Sequence, residues 1–317
     1  MPGRKITYGK DIGLSAAKWL VPVFFLVWLY CTISYPARLN GLPEAVDYKE
    51  LEQVLRKEFK PGDCVSLAPF WAERARLYIG DMNILGLRNT TRQDLLACKR
   101  IFLVGVFKDD ASRERKKIES MSFAKRKWSR PVGRLSLDLF DLSSRSTQTV
   151  FDFRKHIKDA GVWIEKGSGK TACDRYENRQ WKCPGPEWNY VGDLTTDMDR
   201  NPRRCIWAHP VQGGTLKIRF DNVPMGESIQ GRHGIALSGL GQNPSDVILR
   251  ISIDGERQAE FAAHDVLGYF SFKLDTGRFK GSLHQVEFSV STKNNGARHY
   301  CFEAYTIEKK ISPGAGS

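Results

Sequence analysis

Several signatures are missing from this chain, and each absence closes a route. No G-x-G-x-x-G follows a strand-like run, and no G-x-x-x-x-G-K-[ST] occurs, so the usual backbone cradles for nucleotide phosphates are absent. Gly167-Ser168-Gly169-Lys170-Thr171 ends like such a loop but lacks the first glycine, and its strand-like flanks make it a turn. Cysteine is sparse, with 7 in 317 residues, and none stand in C-x-x-C pairs, which argues against a cysteine zinc site. No metal or cofactor is expected. Acidic charge is short: 36 Asp and Glu against 49 Lys and Arg give a formal net charge of +13. That excess favours polyanionic neighbours such as anionic headgroups or acidic glycans. A hydrophobic fraction of 41% excludes a disordered chain.

Long uncharged runs are also scarce, with one exception. Residues 19–35, WLVPVFFLVWLYCTISY, carry no charge, and apolar residues extend the run back to Ile12 with Lys18 as the one interruption. This is about the length a helix needs to cross a bilayer. Ile33-Ser34-Tyr35-Pro36 puts bulky residues where signal cleavage wants small ones. Trp28-Leu29-Tyr30 before Cys31 excludes a lipoprotein signal. Trp19, Tyr30 and Tyr35 suit interfacial belts. Arg4, Lys5, Lys10 and Lys18 precede the run against Asp11 alone. The expectation is an uncleaved single-pass anchor at 12–35, a cytoplasmic tail at 1–11, and an extracytoplasmic remainder in which disulfides are permitted.

A linker at 36–44 leads to a region, 45–153, that alternates strand and helix signals. Val46, Leu51, Val54, Leu55 and Phe59 recur at helical spacing, and Pro61-Gly62 stops the run. Cys64–Leu67, Asn83–Leu87 and Ile101–Phe107 read as strands, with helices over 70–78 and 91–98 between them. The expected architecture is a small parallel α/β layer. Leu135, Leu137 and Leu139 alternate, and 150–153 is positioned to pair with them as a hairpin. Between Lys108 and Arg130 nine basic residues face four acids. Lys116, Lys117, Lys125, Arg126 and Lys127 are the candidates for contact with anionic lipid or glycan, against the plainer reading of a solvated surface. Nucleic acid is not an expected partner. Asn89-Thr90-Thr91 is a glycosylation sequon, meaningful only in a eukaryotic secretory pathway.

The runs GDCVSLAPFWAERARLYIGD (62–81) and KRIFLVGVF (99–107) resemble the soluble domain that follows the membrane helices of bacterial protein-mannosyltransferase-like glycosyltransferases. The resemblance covers about a third of the chain and transfers no catalytic residue. It implies an extracytoplasmic accessory domain in envelope glycan assembly, and a multi-span glycosyltransferase as a candidate partner.

Over 154–310 helix signals fade. Strand-like runs follow at 161–165, 206–209, 215–220, 247–253, 269–274, 285–290 and 300–307, several with period-two alternation, which predicts two packed sheets. The run from Val247 to Val290, including VILRISIDGERQAEF and the phrase His284-Gln285-Val286, resembles jelly-roll carbohydrate-binding and galactose-binding-like modules. Cys173 is expected to pair with Cys183, and Cys205 with Cys301. Cys64 and Cys98 are left unassigned, and Cys31 is free. The tail 311–317 is expected to be flexible.

Trp181, Trp188 and Tyr190 flank a Pro/Gly-rich loop, where exposed rings would stack on sugar faces; the plainer alternative is that they cover the core. Trp207 and His209 sit near a strand end, and His209 is read first as structural because no nucleophile motif accompanies it. Arg232 and His233 lie between glycines in what reads as a loop tip able to hold an anion. Asp197-Met198-Asp199 matches the acid-x-acid pattern of metal-dependent glycosyltransferases, but lies far from any nucleotide-holding layer. The acids worth testing are Glu187, Asp193, Asp197 and Glu303. The sequence therefore favours an anchored, non-catalytic protein that binds envelope glycan or a membrane glycosyltransferase. The alternative is an anchored glycosyltransferase or glycan hydrolase outside the cytosol.

Overall fold

The computed structural model of the protein describes residues 12–69, 72–85, 94–96, 98–106 and 108–310, with side chains throughout except at 12–19, 35–40 and 108–110. The expected cytoplasmic tail, the sequon at Asn89, most of the helix expected over 91–98 and the tail at 311–317 lie outside the described residues.

Helix α1 (Ile12–Asn40) continues through Pro36, so the first five residues of the expected linker are helical. Leu20, Phe24, Phe25, Leu26, Val27 and Trp28 are exposed in succession, which leaves the helix apolar all round rather than on one face. Among the described residues no helix is long and apolar enough to cross a membrane.

Helix α2 (Ala45–Glu58) follows, its first turn fixed by Asp47, whose carboxylate accepts the Glu44 N–H at 2.7 Å. The first layer then contains β1 (Asp63–Ala68), the short α3 (Arg76–Ile79), β2 (Ile84–Leu85), β3 (Arg100–Gly105), α4 (Lys108–Glu119), β4 (Lys125–Val132) and β5 (Leu135–Asp141). Strand order is β2-β1-β3-β5-β4. β1 pairs in parallel with β2 and β3, as expected. β5 is antiparallel to both β3 and β4, so the sheet is mixed rather than parallel. The cause is local: the turn at Gly133, φ +53°, joins β4 to β5 directly, and so short a link makes only an antiparallel pair. Both faces are covered. Tyr48, Leu51 and Leu55 of α2 pack with Val65, Leu67, Phe102 and Val104 on one side. Ala111 and Ile118 of α4 pack with Ile101, Leu103 and Phe140 on the other. Val46, which the helical spacing placed inside, is exposed.

The sandwich contributes β6 (Thr147–Asp152), β7 (Gly161–Lys166), β8 (Gly169–Ala172), β9 (Arg175–Glu177), β10 (Gln180–Lys182), β11 (Tyr190–Met198), β12 (Asn201–Ala208), β13 (Thr215–Pro224), β14 (Ser228–Ile235), β15 (Val247–Ile253), β16 (Glu256–Ala263), β17 (Phe270–Asp275), β18 (Leu283–Thr292) and β19 (Tyr300–Lys309). One sheet runs β17-β14-β19-β12-β11-β10-β9 with β6 also on β19; the other runs β16-β15-β18-β13-β7-β8. β6 does not form the expected hairpin with β5, because β3 and β4 already occupy both edges of β5. It pairs with β19 instead and delivers Phe153 to the sandwich core. There Phe153 meets Phe220 at 5.1 Å and Phe288 at 4.9 Å, edge to face. Gly167, φ +54°, turns β7 into β8, as the turn reading required, and Asp254 and Gly255, both at positive φ, turn β15 into β16.

Three disulfides brace the two parts: Cys173–Cys183 and Cys205–Cys301, as expected, and Cys64–Cys98, which ties β1 to the segment before β3. Cys31 is unpaired. The 96-residue separation of Cys205 and Cys301 corresponds to about 4.7 kcal/mol in the loop-entropy account.

Candidate functional site

Trp188, Tyr190, Trp207 and His209 converge at one end of the larger sheet. The register pairs Val191 with Ala208 and Trp207 with Cys301, which brings the start of β11, the end of β12 and the start of β19 side by side. The loop that delivers Trp188 is pinned at its base. Cys183 is bonded to Cys173, and its N–H donates to the Asn189 carbonyl at 3.0 Å. The buried Asn189 amide donates to the Pro184 carbonyl at 2.7 Å.

A row of rings results. Tyr190 stacks on Trp207 at 5.9 Å, Trp207 meets His299 at 5.4 Å, His299 lies 5.9 Å from His209, and His209 lies 4.5 Å from Trp188. Trp207 is 8% exposed and Trp188 46%, so the row has a buried base and one open platform. Polar groups edge it: Ser238 Oγ is 2.8 Å from His299 Nδ1, and Lys182 Nζ sits 5.0 Å from the Tyr190 ring centre. Burial lowers the pKa of His209 to about 4, and the neighbouring His299 and Arg298 push the same way. The imidazole is therefore neutral at pH 7, with Nδ1–H donating to the Pro210 carbonyl at 2.9 Å. Burial, helped by Arg298, also lowers His299. Neutral flat rings beside a few hydrogen-bonding groups suit an uncharged, partly apolar face such as a pyranose.

The other candidates lie elsewhere. Trp181 donates from its indole N–H to the Ile157 carbonyl at 2.8 Å and packs on the core, as the plainer reading held. Arg232 and His233 are not a loop tip; they sit in mid-strand β14, with side chains on opposite faces. The glycines around them serve close packing: a Cβ on Gly231 would lie 2.0 Å from the Glu303 carbonyl. Arg232 is buried against Asp94 and Glu303, and Arg203 also reaches Asp94, at 2.5 Å. His233 bonds the Tyr300 hydroxyl at 3.1 Å inside the sandwich. Strand alternation separates the pair, so they hold no common anion.

Asp197 is the last residue but one of β11 and Asp199 lies in the turn to β12, φ +56°; both are exposed. Asp193 is clamped by Arg204 at 2.5 Å and Arg154 at 3.3 Å, and Glu303 by Arg232 at 2.5 Å, so neither is a free acid. Among the described residues no three His, Cys, Asp or Glu side chains gather as a metal site. Ser282 Oγ, His284 and Asp254 form a chain of 2.8 and 2.5 Å in the order an acyl-transfer triad uses. Ser282 Oγ also donates to the Phe279 carbonyl at 2.8 Å. The chain fastens the β15–β16 turn to β18. The His284 hydrogen bond holds the Asp254 carboxyl below its usual range.

Lys116 and Lys117 lie in the last turn of α4, and Lys125, Arg126 and Lys127 on β4, the edge strand of the first layer. Arg126 meets Glu119 at 3.3 Å and Lys127 meets Asp141 at 3.2 Å. Charge on an exposed edge discourages pairing with another chain. The opposite end of the β4–β5 hairpin reaches the linker, where Arg134 donates to the Leu42 carbonyl at 2.9 Å. Lys125 thus starts roughly 23 Å along the strand from that contact.

Sequence reasoning missed His299 and Ser238. His299 stands two residues before Cys301, so the bridge that places Trp207 also places His299, and that adjacency was its only signal.

No protein-family model matches the chain, and no curated protein matches it. Among solved structures, it is similar to the CBM51-2 and INT domains of Clostridium perfringens ZmpB in complex with GlcNAc, at 16% identity and TM-score 0.29, over 46% of this chain and 30% of that one. It is similar to the CBM51 of Clostridium perfringens GH95 in complex with methyl-galactose, at 12% identity and TM-score 0.28, over 45% and 92%. It is also similar to the xylan-binding module CBM15, at 8% identity and TM-score 0.27, over 47% and 90%. The match spans less than a third of the first of these chains. Likenesses this distant assign no ligand to the ring row. The resemblance of 62–107 to mannosyltransferase-associated domains finds no support among them.

Proposed function

We propose that the protein is a membrane-anchored glycan-binding protein whose contact surface is the ring row ending in Trp188. The observation that carries this is an open indole set 4.5 Å from a neutral, buried imidazole, on a loop bonded at its base by Cys173–Cys183. Such a platform is pre-organised, and stacking a sugar on it freezes little further motion. Helix α1 is the anchor in this reading, with its N-terminal side in the cytoplasm and the three disulfides in an oxidising compartment. Exposed apolar side chains on successive positions of α1 support it, since water would not leave them so.

The test is binding of the full-length chain, in mild detergent, to an array of neutral and acidic glycans, beside Trp188→Ala. Loss of the open ring should weaken a sugar-dependent signal about tenfold. No such signal from the intact chain, or one that Trp188→Ala leaves unchanged, defeats the proposal.

A further inference from the structure

A second site lies at the other end of the molecule, where the first layer meets the sandwich. A cleft of about 610 Å³ opens there between the segment before β3, the end of β5, β6 and the residue after β19. That volume is in the range of pockets that hold small ligands, and seams between packed units are where such pockets occur.

The walls are fixed by bonds that cross the seam. Arg145 donates to the carbonyls of Leu95 and Cys98. Thr149 Oγ1 donates to the Leu96 carbonyl at 2.7 Å. Cys98 is held by its bridge to Cys64, and the Leu142 N–H donates to the Lys99 carbonyl at 2.9 Å. A Cβ on Gly62 would come within 3.2 Å of the Lys99 side chain, so glycine is what lets that lysine lie across the rim.

The lining is cationic. Lys99, Arg100, Arg145, Lys155 and Lys310 contribute five positive charges, and Asp141 and Asp152 two negative, a net of 5 − 2 = +3. Arg100 is already matched by Asp63 at 2.5 Å. Asp141 meets Lys127, from outside the cleft, at 3.2 Å, and Asp152 lies 3.7 Å from both Arg154 and the cleft's own Lys155. Lys310 Nζ donates to a neutral carbonyl, that of Ser143, at 2.5 Å. Among the described residues neither Lys99 nor Lys310 is paired with a carboxylate of the cleft. Thr147 and Gln148 add groups that bond hydroxyls.

We infer that this cleft binds a sugar phosphate, with Lys99 and Lys310 on the phosphate and the β6 side chains on the sugar hydroxyls. Lysines suit a phosphate, which they meet as point charges, and a monosaccharide fits the volume. The site is separate from the ring row and does not depend on it.

The test is calorimetric titration of the full-length chain in mild detergent at physiological salt, with glucose 1-phosphate, glucose, inorganic phosphate and glucuronate as probes. Saturable binding of glucose 1-phosphate is expected at millimolar concentrations, tighter than any other probe. Lys99→Gln/Lys310→Gln should weaken it about tenfold or more, while Trp188→Ala leaves it unchanged. Should the double variant fail to fold, Lys99→Gln alone decides, since Lys99 is exposed. A change under about twofold in that variant overturns the site. So does the absence of saturable binding. Glucuronate binding as tightly as glucose 1-phosphate overturns the assignment of phosphate.

Discussion

Asp94 joins the first layer to the sandwich through two ion pairs. Its carboxylate is fully buried between Arg203, at 2.5 Å, and Arg232, and Arg232 is in turn held by Glu303 at 2.5 Å. The Tyr269 ring lies 4.9 Å from the Arg232 guanidinium and 5.5 Å from that of Arg203. Burial drives the Tyr269 hydroxyl well above its ordinary pKa. Among the described residues two anions, Asp94 and Glu303, face two cations, Arg203 and Arg232. Asp94→Asn keeps the shape and removes one negative charge, leaving a buried cation without compensation. The expected cost is about 3–5 kcal/mol. At about 2–4 °C per kcal/mol for a chain of this size, the unfolding midpoint should fall by on the order of 10 °C. Differential scanning fluorimetry on the detergent-solubilised chain reads it. Asp94→Asn/Arg203→Met restores neutrality and should recover part of the loss. A cost below about 1 kcal/mol, the range of exposed pairs, refutes the buried-cluster reasoning. A double variant no better than the single one refutes it equally.

Two further outcomes follow from the sandwich. His209 and His233 are both lowered to about 4, each chiefly by burial. Their neutral forms stabilise the fold fully above the unfolded pKa of about 6.5, and that stability is lost as pH falls toward 4, by about 3 kcal/mol each. Unfolding midpoints at pH 7.5 and 4.5 should differ accordingly, and equal midpoints count against buried neutral imidazoles. Phe153→Ala removes the ring that joins β6 to the core and should cost about 3–5 kcal/mol, read by the same melt; under about 1 kcal/mol would mean that β6 is not integral to the sandwich.

Strands of the sandwich with one buried side were legible because alternation is a local signal: β15, β18 and β19 stand close to where the pattern puts them. β16 was not, since most of its side chains are exposed or half-buried and it carries almost no alternation. β14 was hidden by its glycines, which read as a turn until the tertiary structure shows that Gly231 makes room for the Glu303 carbonyl and the Phe272 ring, and Gly234 for the Gly268 carbonyl. The mixed first sheet was missed for a related reason: Ile101–Phe107 is apolar enough for a parallel strand, and only the Gly133 turn reveals the antiparallel pair beyond it. Of the candidate site, the four rings were legible as large aromatics and a histidine near one loop. Their assembly was not, because it depends on register across β11, β12 and β19.

β19 comes later in the chain than every partner it zips to: β6, β12 and β14. A polypeptide threaded outward from its amino end would display the greasy inner faces of those three while their shared neighbour was still inside. Until about residue 309 emerges, the larger sheet has no centre to close upon. Synthesis from the amino end therefore leaves a window in which the larger sheet lacks its shared strand, and lesions that truncate β19 should yield aggregates rather than a smaller folded protein.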